Sequence, residues 1–131
     1  MTEDNLSTAN GGPGRRIAVT ADRPDDLAAS RLAVLDIEPE VAAPLVAVVP
    51  GLPWDVHPAL LVARGDLDLA LQTNGQVWDF AATSLIVEEA GGTYRGLDGR
   101  RLPAAGPSLY ARSDSLAVAA LAVLGGLPAQ A

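Results

Sequence analysis

One stretch of the sequence combines residue types that could bind a ligand or take part in catalysis, namely residues 78–92, WDFAATSLIVEEAGG. Asp79 precedes an apolar run, and Gly91 can end a helix in the left-handed conformation, so the stretch predicts a helix capped by Asp79 and buried on most sides. Carboxylate oxygens at a helix N-terminus can also be directed towards a bound cation or phosphate group. These residues alone leave both roles of Asp79 open, helix cap and ligand.

The other residue types that can take part in catalysis give weaker indications of a functional site. His57 is the only histidine, and its position before Pro58 in an apolar stretch predicts a core or cap residue. Asp66 and Asp68 flank the start of a predicted strand, where alternation places both side chains on the solvent face. Cysteine is absent, which excludes disulfides and thiolate metal sites. Carboxylate chemistry remains, and no residue is assigned a catalytic role.

The composition limits the classes of function. A length of 131 residues predicts one domain, and a formal net charge of -7 argues against nucleic-acid binding. Only 19% of the residues are charged, against about a quarter in average domains. Two interpretations of this apolar excess stay open, a surface covered by another protein and simple alanine enrichment. The sequence shows no signal segment and no apolar run of membrane length, which predicts a cytoplasmic protein without a membrane partner.

Helices and strands that alternate along the chain must position these residues. Residues 1–14 are polar and glycine-rich, which predicts disorder, and residues 15–131 are predicted to form one α/β domain. Its expected architecture is a central mixed sheet of about five strands with helices on both faces. Helices are predicted within residues 22–37, 54–65, 79–90 and 113–124, and strands within residues 15–21, 43–49, 66–72, 93–97 and 108–113.

Residues 59–102 resemble the C-terminal half of the inositol monophosphatase superfamily of Mg²⁺-dependent phosphatases. That family carries V-A-x-G-x-x-D, then W-D-x-A-A-G-x-x-I-x-x-E-A-G-G after a short loop, and a D-G turn further on. A weaker agreement in the order of elements extends from Arg15 to the end of the chain. The matching residues are Val62, Ala63, Gly65, Asp68, Trp78, Asp79, Ala81, Ala82, Ile86, Glu89, Ala90, Gly91, Gly92, Asp98 and Gly99.

The resemblance implies the fold of that C-terminal half and a role for Asp79 as a ligand of catalytic Mg²⁺. It also implies substrate contacts at Gln72, Ala81 and Ala82, with Gln72 in the place of a glutamate that meets substrate hydroxyls in many members. Thr83 occupies a position that is small in the family. The family's other metal ligands, a glutamate and a D-P-x-D-G-T motif in its N-terminal half, have no match in these residues. Mg²⁺ binding by this chain alone is therefore expected to be weak.

Three functional hypotheses follow from the match and its gaps. The chain is half of a metal-dependent sugar or polyol phosphatase, completed by an N-terminal half, or a non-catalytic ligand-binding or interaction module, or a truncated product without a role of its own. The first is favoured, as a phosphatase-family domain that is not catalytic alone. Polyol, histidinol and nucleotide phosphates stay open as substrates. The uncovered apolar surface predicts self-association, as a dimer or higher, or binding to the missing half.

Overall fold

The computed structural model describes residues 17–20, 25–35 and 38–125. Within them, the strands are β1 (Leu32–Leu35), β2 (Leu69–Gln72), β3 (Thr93–Gly96) and β4 (Ser108–Ala111). The α-helices are α1 (Pro39–Val46), α2 (Pro58–Ala63), α3 (Val77–Glu89) and α4 (Asp114–Leu124), and a short 3₁₀ turn covers Leu27–Ala29. The predicted disorder of residues 1–14 lies outside the described residues.

The strands form one mixed sheet in the order β1-β2-β4-β3. β1 pairs with β2 in parallel, whereas β4 pairs with both β2 and β3 in antiparallel orientation. The predicted mixed α/β architecture is confirmed, with a 4-stranded sheet in place of the expected five strands. The strand predicted at residues 15–21 is not formed by its described part, residues 17–20, although Val19 donates a backbone hydrogen bond to Ala90 at 3.1 Å.

Alternation along the strands divides the core between the two faces of the sheet. Leu69 and Leu71 of β2 pack with α1 and α4 on one face. Ala70 of β2 and Tyr110 of β4 pack with α2 and α3 on the other face. The predicted arrangement of helices on both faces is thus confirmed, and α3 lies on the face of Ala70.

Two predictions in the first third of the chain are wrong. Residues 43–49, predicted as a strand, fall mostly in α1, where Ala42 and Leu45 are buried at the spacing of a helix, and Val49 is buried just after its end. The helix predicted at residues 22–37 is described only over residues 25–35, where the 3₁₀ turn is the only helical segment and β1 follows it. A short continuous apolar run fits a helix or a strand equally, so periodicity did not distinguish them here.

The predicted end of α3 is confirmed, because Gly91 follows the helix with φ 100°, in the left-handed region. The expectation that this helix is covered on most sides is wrong. Phe80, Ser84 and Val87 are buried on one side, while the opposite half of the circumference is exposed. α3 therefore has an inner face on the sheet and an outer face with no cover among the described residues.

His57 caps α2, as expected from its position before Pro58. Its Nδ1 accepts a hydrogen bond from the backbone N–H of Ala59 at 3.1 Å. Burial lowers the pKa of His57, which favours the neutral ring that this hydrogen bond needs. Among the helices of the described part, none has the length and apolarity needed to cross a membrane.

Asp68 is fully buried at the start of β2, against the prediction that it faces solvent. Its Oδ2 accepts hydrogen bonds from the backbone N–H of Arg31 at 2.7 Å and from Arg31 Nε at 3.1 Å. Its Oδ1 accepts from Arg112 Nε at 2.9 Å. The exposure predicted for Asp66 is confirmed, since Asp66 pairs with Arg64 at the surface. Two arginines far away in the sequence thus allow Asp68 to be buried as an ion.

Asp68→Asn is expected to lower the free energy of unfolding by about 3–5 kcal/mol, because it leaves two arginines without their buried carboxylate. Urea denaturation at neutral pH measures the change. Asp66→Asn is the matched control and should cost less than about 1 kcal/mol, as an exposed ion pair contributes little. Equal costs for the two variants would contradict a structural role for the buried pair.

Candidate functional site

Asp79 lies in the first turn of α3, as its third residue, and it is exposed. Its Oδ2 accepts a hydrogen bond from the backbone N–H of Gln76 at 2.6 Å. The N-cap residue is Gln76, which has extended backbone angles (φ -102°, ψ 167°) before the helix begins at Val77. The prediction that Asp79 is the N-cap residue is therefore wrong by three positions. Gln76 is not among the residue types that usually cap helices, so the sequence did not point to it.

The Asp79 carboxylate still stabilises the start of α3, from inside the first turn. It accepts the N–H of the N-cap residue and lies at the positive end of the helix dipole. Its Oδ1 has no hydrogen-bond or ion-pair partner within the described ranges. The geometry therefore lets one oxygen hold the helix start while the other is available to a ligand.

Thr83 and Tyr110 fix this turn from the side of the sheet. The Thr83 hydroxyl donates to the backbone carbonyl of Asp79 at 3.1 Å and lies 2.6 Å from the Tyr110 hydroxyl. Burial, with a smaller contribution from the nearby Asp79 charge, raises the pKa of Tyr110. Tyr110 therefore stays protonated and can donate its hydrogen bond to the Thr83 hydroxyl. The Thr83 hydroxyl can then donate its own hydrogen bond to the backbone carbonyl of Asp79. Tyr110 was not predicted to contribute here, although a tyrosine within a buried strand indicates a hydroxyl that needs a hydrogen-bond partner.

Gln72 ends β2 directly below the loop that leads into α3. It is only 8% exposed, and its Nε2 donates to the backbone carbonyl of Asn74 at 3.1 Å. Its Oε1 is buried without a hydrogen-bond partner. A Cβ on Gly75 would come within 3.0 Å of Gln72 Nε2 and 2.7 Å of Phe80 Cζ, so this tight loop needs glycine. A buried acceptor without a partner costs free energy.

Ala81 and Ala82 are exposed in the first two turns of α3, close in sequence to Asp79. Neither offers a polar side-chain atom, so any contact with a ligand is through apolar surface. The structure thus places Asp79, Ala81 and Ala82 around one end of α3 and Gln72 beneath the loop before it. Their roles in substrate binding stay predictions.

The described residues do not form a complete site for Mg²⁺. They contain no group of three or more His, Cys, Asp or Glu side chains arranged to hold a metal ion. Asp68 is committed to Arg31 and Arg112 at the far end of β2. Glu88 and Glu89 lie at the other end of α3, about 14 Å from Asp79 by helix rise. A catalytic Mg²⁺ needs several oxygen ligands in octahedral geometry, and one carboxylate with water molecules holds the ion only weakly.

Asp79→Asn is expected to lower the free energy of unfolding by at most about 1 kcal/mol, because an amide oxygen can still accept the Gln76 N–H and only the interaction with the helix dipole is lost. Glu40→Gln, in the first turn of α1, is the matched control for the dipole alone. Urea denaturation compares both with the unmodified chain. A loss of several kcal/mol for Asp79→Asn alone would show that the carboxylate serves a buried ion pair and is not available to a ligand.

Residues 55–127 match the sequence model of the family described as "Inositol monophosphatase family". Two curated relatives are both named histidinol-phosphatase. The protein from Streptomyces coelicolor is 48% identical over 52 residues, which are 40% of this chain and 20% of the relative. The protein from Mycobacterium tuberculosis is 43% identical over 49 residues, which are 37% of this chain and 19% of the relative. These matches therefore cover about a fifth of each relative.

Solved structures agree over most of the described fold. An inositol monophosphatase from Zymomonas mobilis superposes with a TM-score of 0.74 at 26% identity, over 86% of this chain and 47% of the other. An inositol monophosphatase from Anabaena superposes with a TM-score of 0.70 at 22% identity, over 88% of this chain and 52% of the other. This chain thus spans about half the length of these solved structures.

Proposed function

The chain belongs to the inositol monophosphatase family, and we propose that it is one half of a metal-dependent phosphoric monoester hydrolase. In this proposal Asp79 supplies one ligand of Mg²⁺, the metal that the family generally uses. Gln72, Ala81 and Ala82 border the substrate. The other acidic ligands come from outside these 131 residues, in the same polypeptide or in another one.

The proposal is supported mainly by the Asp79 carboxylate, of which one oxygen accepts a hydrogen bond and the other has no partner among the described residues. One of its oxygens holds the Gln76 N–H, and the helix dipole and the Thr83–Tyr110 pair fix the turn that bears it. A carboxylate held in this way has lost much of its freedom before a ligand arrives, which reduces the entropic cost of binding. Its position at a helix N-terminus also suits the negative charge of a phosphate ester.

The substrate class in this proposal is a phosphate monoester of a small polar alcohol. Both curated relatives are named histidinol-phosphatase, and the solved relatives are inositol monophosphatases. Gln72 offers a neutral amide, which can hydrogen-bond to hydroxyl groups but cannot pair with a cationic substituent as a carboxylate would. This favours recognition through hydroxyls at that position.

A second candidate function is a non-catalytic binding module. The single carboxylate at the start of α3 favours it, because a two-metal hydrolysis needs charge at both the attacking and the leaving oxygen. The module would bind a ligand or a protein partner, including a second copy of the chain. The binding module differs from the half-enzyme in that adding the N-terminal half of a relative would not produce phosphatase activity.

The purified chain is expected to hydrolyse neither histidinol phosphate nor inositol monophosphate above background at any Mg²⁺ concentration. Joining the N-terminal half of the Streptomyces coelicolor histidinol-phosphatase in front of residue 17 should give Mg²⁺-dependent release of phosphate. Asp79→Ala should abolish that activity, whereas Glu40→Ala, an exposed acid on α1, should leave it unchanged. Phosphate release is the measurement.

Two results would contradict this proposal. Robust Mg²⁺-dependent hydrolysis by the 131-residue chain alone would mean that a full ligand set is present in it. A folded chimaera that is inactive would favour the binding module, whereas a chimaera that is equally active with Asp79→Ala would show that Asp79 is not a ligand of the site.

A further inference from the structure

β1 lies at one edge of the sheet, so its side away from β2 has no neighbouring strand within the described residues. Residues 50–54, which we call the edge strap, cover this side of β1. Gly51 pairs with Leu32 in a single parallel bridge, and the backbone N–H of Leu52 donates to the carbonyl of Leu32 at 2.8 Å. Unpaired backbone groups at a sheet edge can add a strand from another chain, and the edge strap occupies the place of that strand.

The last contact of the edge strap with β1 comes from a side chain. Hydrogen bonds in a parallel ladder repeat every two residues, so the bridge between Leu32 and Gly51 would continue with a bond from the backbone N–H of residue 54 to the carbonyl of Val34. The indole Nε1 of Trp54 donates to that carbonyl instead, at 3.0 Å. The described chain forms no second bridge at this point. The indole N–H therefore replaces the backbone donor of a strand that has already left the sheet.

We propose that the edge strap competes with strand addition at β1 and that the excluded strand is β1 of a second copy of the chain. The Trp54 indole determines which of the two occupies the edge. Because the strap belongs to the same chain, its effective concentration exceeds that of a second copy while all of its contacts are in place. This surface involves neither Asp79 nor α3, so it goes beyond the proposed function.

Few contacts hold the edge strap on β1. Leu52 and Trp54 are 43% and 39% exposed, so neither side chain is buried in the core. The hydrogen bonds that join the strap to β1 in the described structure are those of one backbone bridge and the bond of the indole N–H. Pro50 and Pro53 have no backbone N–H to add to them. Loss of the indole therefore leaves the strap attached to β1 by one bridge.

The β1 edge suits a second copy of the chain in charge and in geometry. Residues 32–35, LAVL, and the edge strap contain no charged side chain, although the chain has a net charge of -7. Two copies therefore meet the least electrostatic repulsion when they approach at this edge. A two-fold axis at the edge sets the two β1 strands antiparallel, with Leu32 of each copy opposite Val34 of the other. This pairing uses the backbone groups that the strap and the indole now occupy.

The opposite edge of the sheet is also covered, which limits the assembly to two copies. β3 forms that edge, and the backbone N–H of Gly96 donates to the carbonyl of Arg100 at 2.9 Å. The Arg100 side chain lies against Gly96, since a Cβ at this glycine would come within 2.5 Å of the guanidinium carbon. Two copies paired through β1 have no open edge for a third copy. The expected product is a closed dimer in which two 4-stranded sheets join, and not a fibre.

Removal of the indole tests the proposal in the full chain. Trp54→Ala deletes the indole and its hydrogen bond, whereas Trp54→Phe keeps an aromatic ring and loses the N–H. Trp78→Phe is the matched control, because Trp78 is the other tryptophan, is 72% exposed and donates no side-chain hydrogen bond within the described ranges. Amide hydrogen exchange of Val34, followed by NMR at a low and a high protein concentration, measures pairing at the β1 edge. Light scattering measures the mass.

The Val34 amide of Trp54→Ala should exchange at least about tenfold more slowly at the high concentration, because strand pairing protects an amide only in the associated state. The mass should approach that of a dimer at the same concentration. Trp54→Phe should show a change in the same direction. In the unmodified chain and in Trp78→Phe, exchange at Val34 should not depend on concentration.

Exchange at Val34 that stays independent of concentration in a folded Trp54→Ala overturns the proposal, whatever the mass of the protein. If circular dichroism shows that Trp54→Ala is unfolded, the same result in Trp54→Phe overturns it. Protection of Val34 at high concentration already in the unmodified chain contradicts the role of the strap. Val34→Pro in the Trp54→Ala chain removes the outward N–H of the edge strand and should restore the monomer. A dimer that persists in this folded double variant, or a mass above that of a dimer in Trp54→Ala, excludes the proposed pairing.

Discussion

The ion pair between buried Asp68 and the two arginines Arg31 and Arg112 is the interaction on which the rest of the structure depends. Arg31 directly precedes β1, Asp68 directly precedes β2, and Arg112 directly follows β4. One carboxylate therefore joins three neighbouring strands at the same end of the sheet. A buried charge is tolerated only with its partners in place, so this end of the sheet has one favourable arrangement. Side-chain alternation from that point assigns each strand residue to one face and its helices.

The candidate site follows from this arrangement at the opposite end of β2. Gln72 ends the strand, the loop through Gly75 packs tightly against it, and α3 begins at Val77. Tyr110, paired in register with Ala70, then reaches Thr83 and supports the turn that bears Asp79. The sheet thus determines where the carboxylate of Asp79 lies.

The sequence predicted the secondary-structure elements whose signals lie within a few neighbouring residues, but not the contacts between residues far apart in sequence. β2, β3, β4, α3 and α4 were predicted close to their observed bounds, because alternation, capping residues and glycine punctuation act over a few residues. Residues 43–49 were predicted as a strand although Ala42, Leu45 and Val49 have a helical spacing, because the continuous apolar run bounded by Pro44 and Pro50 was interpreted as a buried strand. Burial of Asp68 and the Thr83–Tyr110 contact could not be predicted in this way, because their partners lie far apart in sequence. The motif around Asp79 predicted the helix, but it placed the N-cap three residues after the observed one, Gln76.

We propose that this chain holds one prepared ligand of a metal site and not the whole site. A titration of the isolated chain with Mg²⁺ tests it most directly, followed by NMR through the Gln76 amide and the Trp78 indole, which flank Asp79. We predict small, non-saturating shifts up to millimolar Mg²⁺ that disappear in Asp79→Asn, with no tightening when inositol monophosphate is added. Saturable binding at micromolar Mg²⁺, strengthened by the phosphate ester, would instead show that the chain contains a complete site.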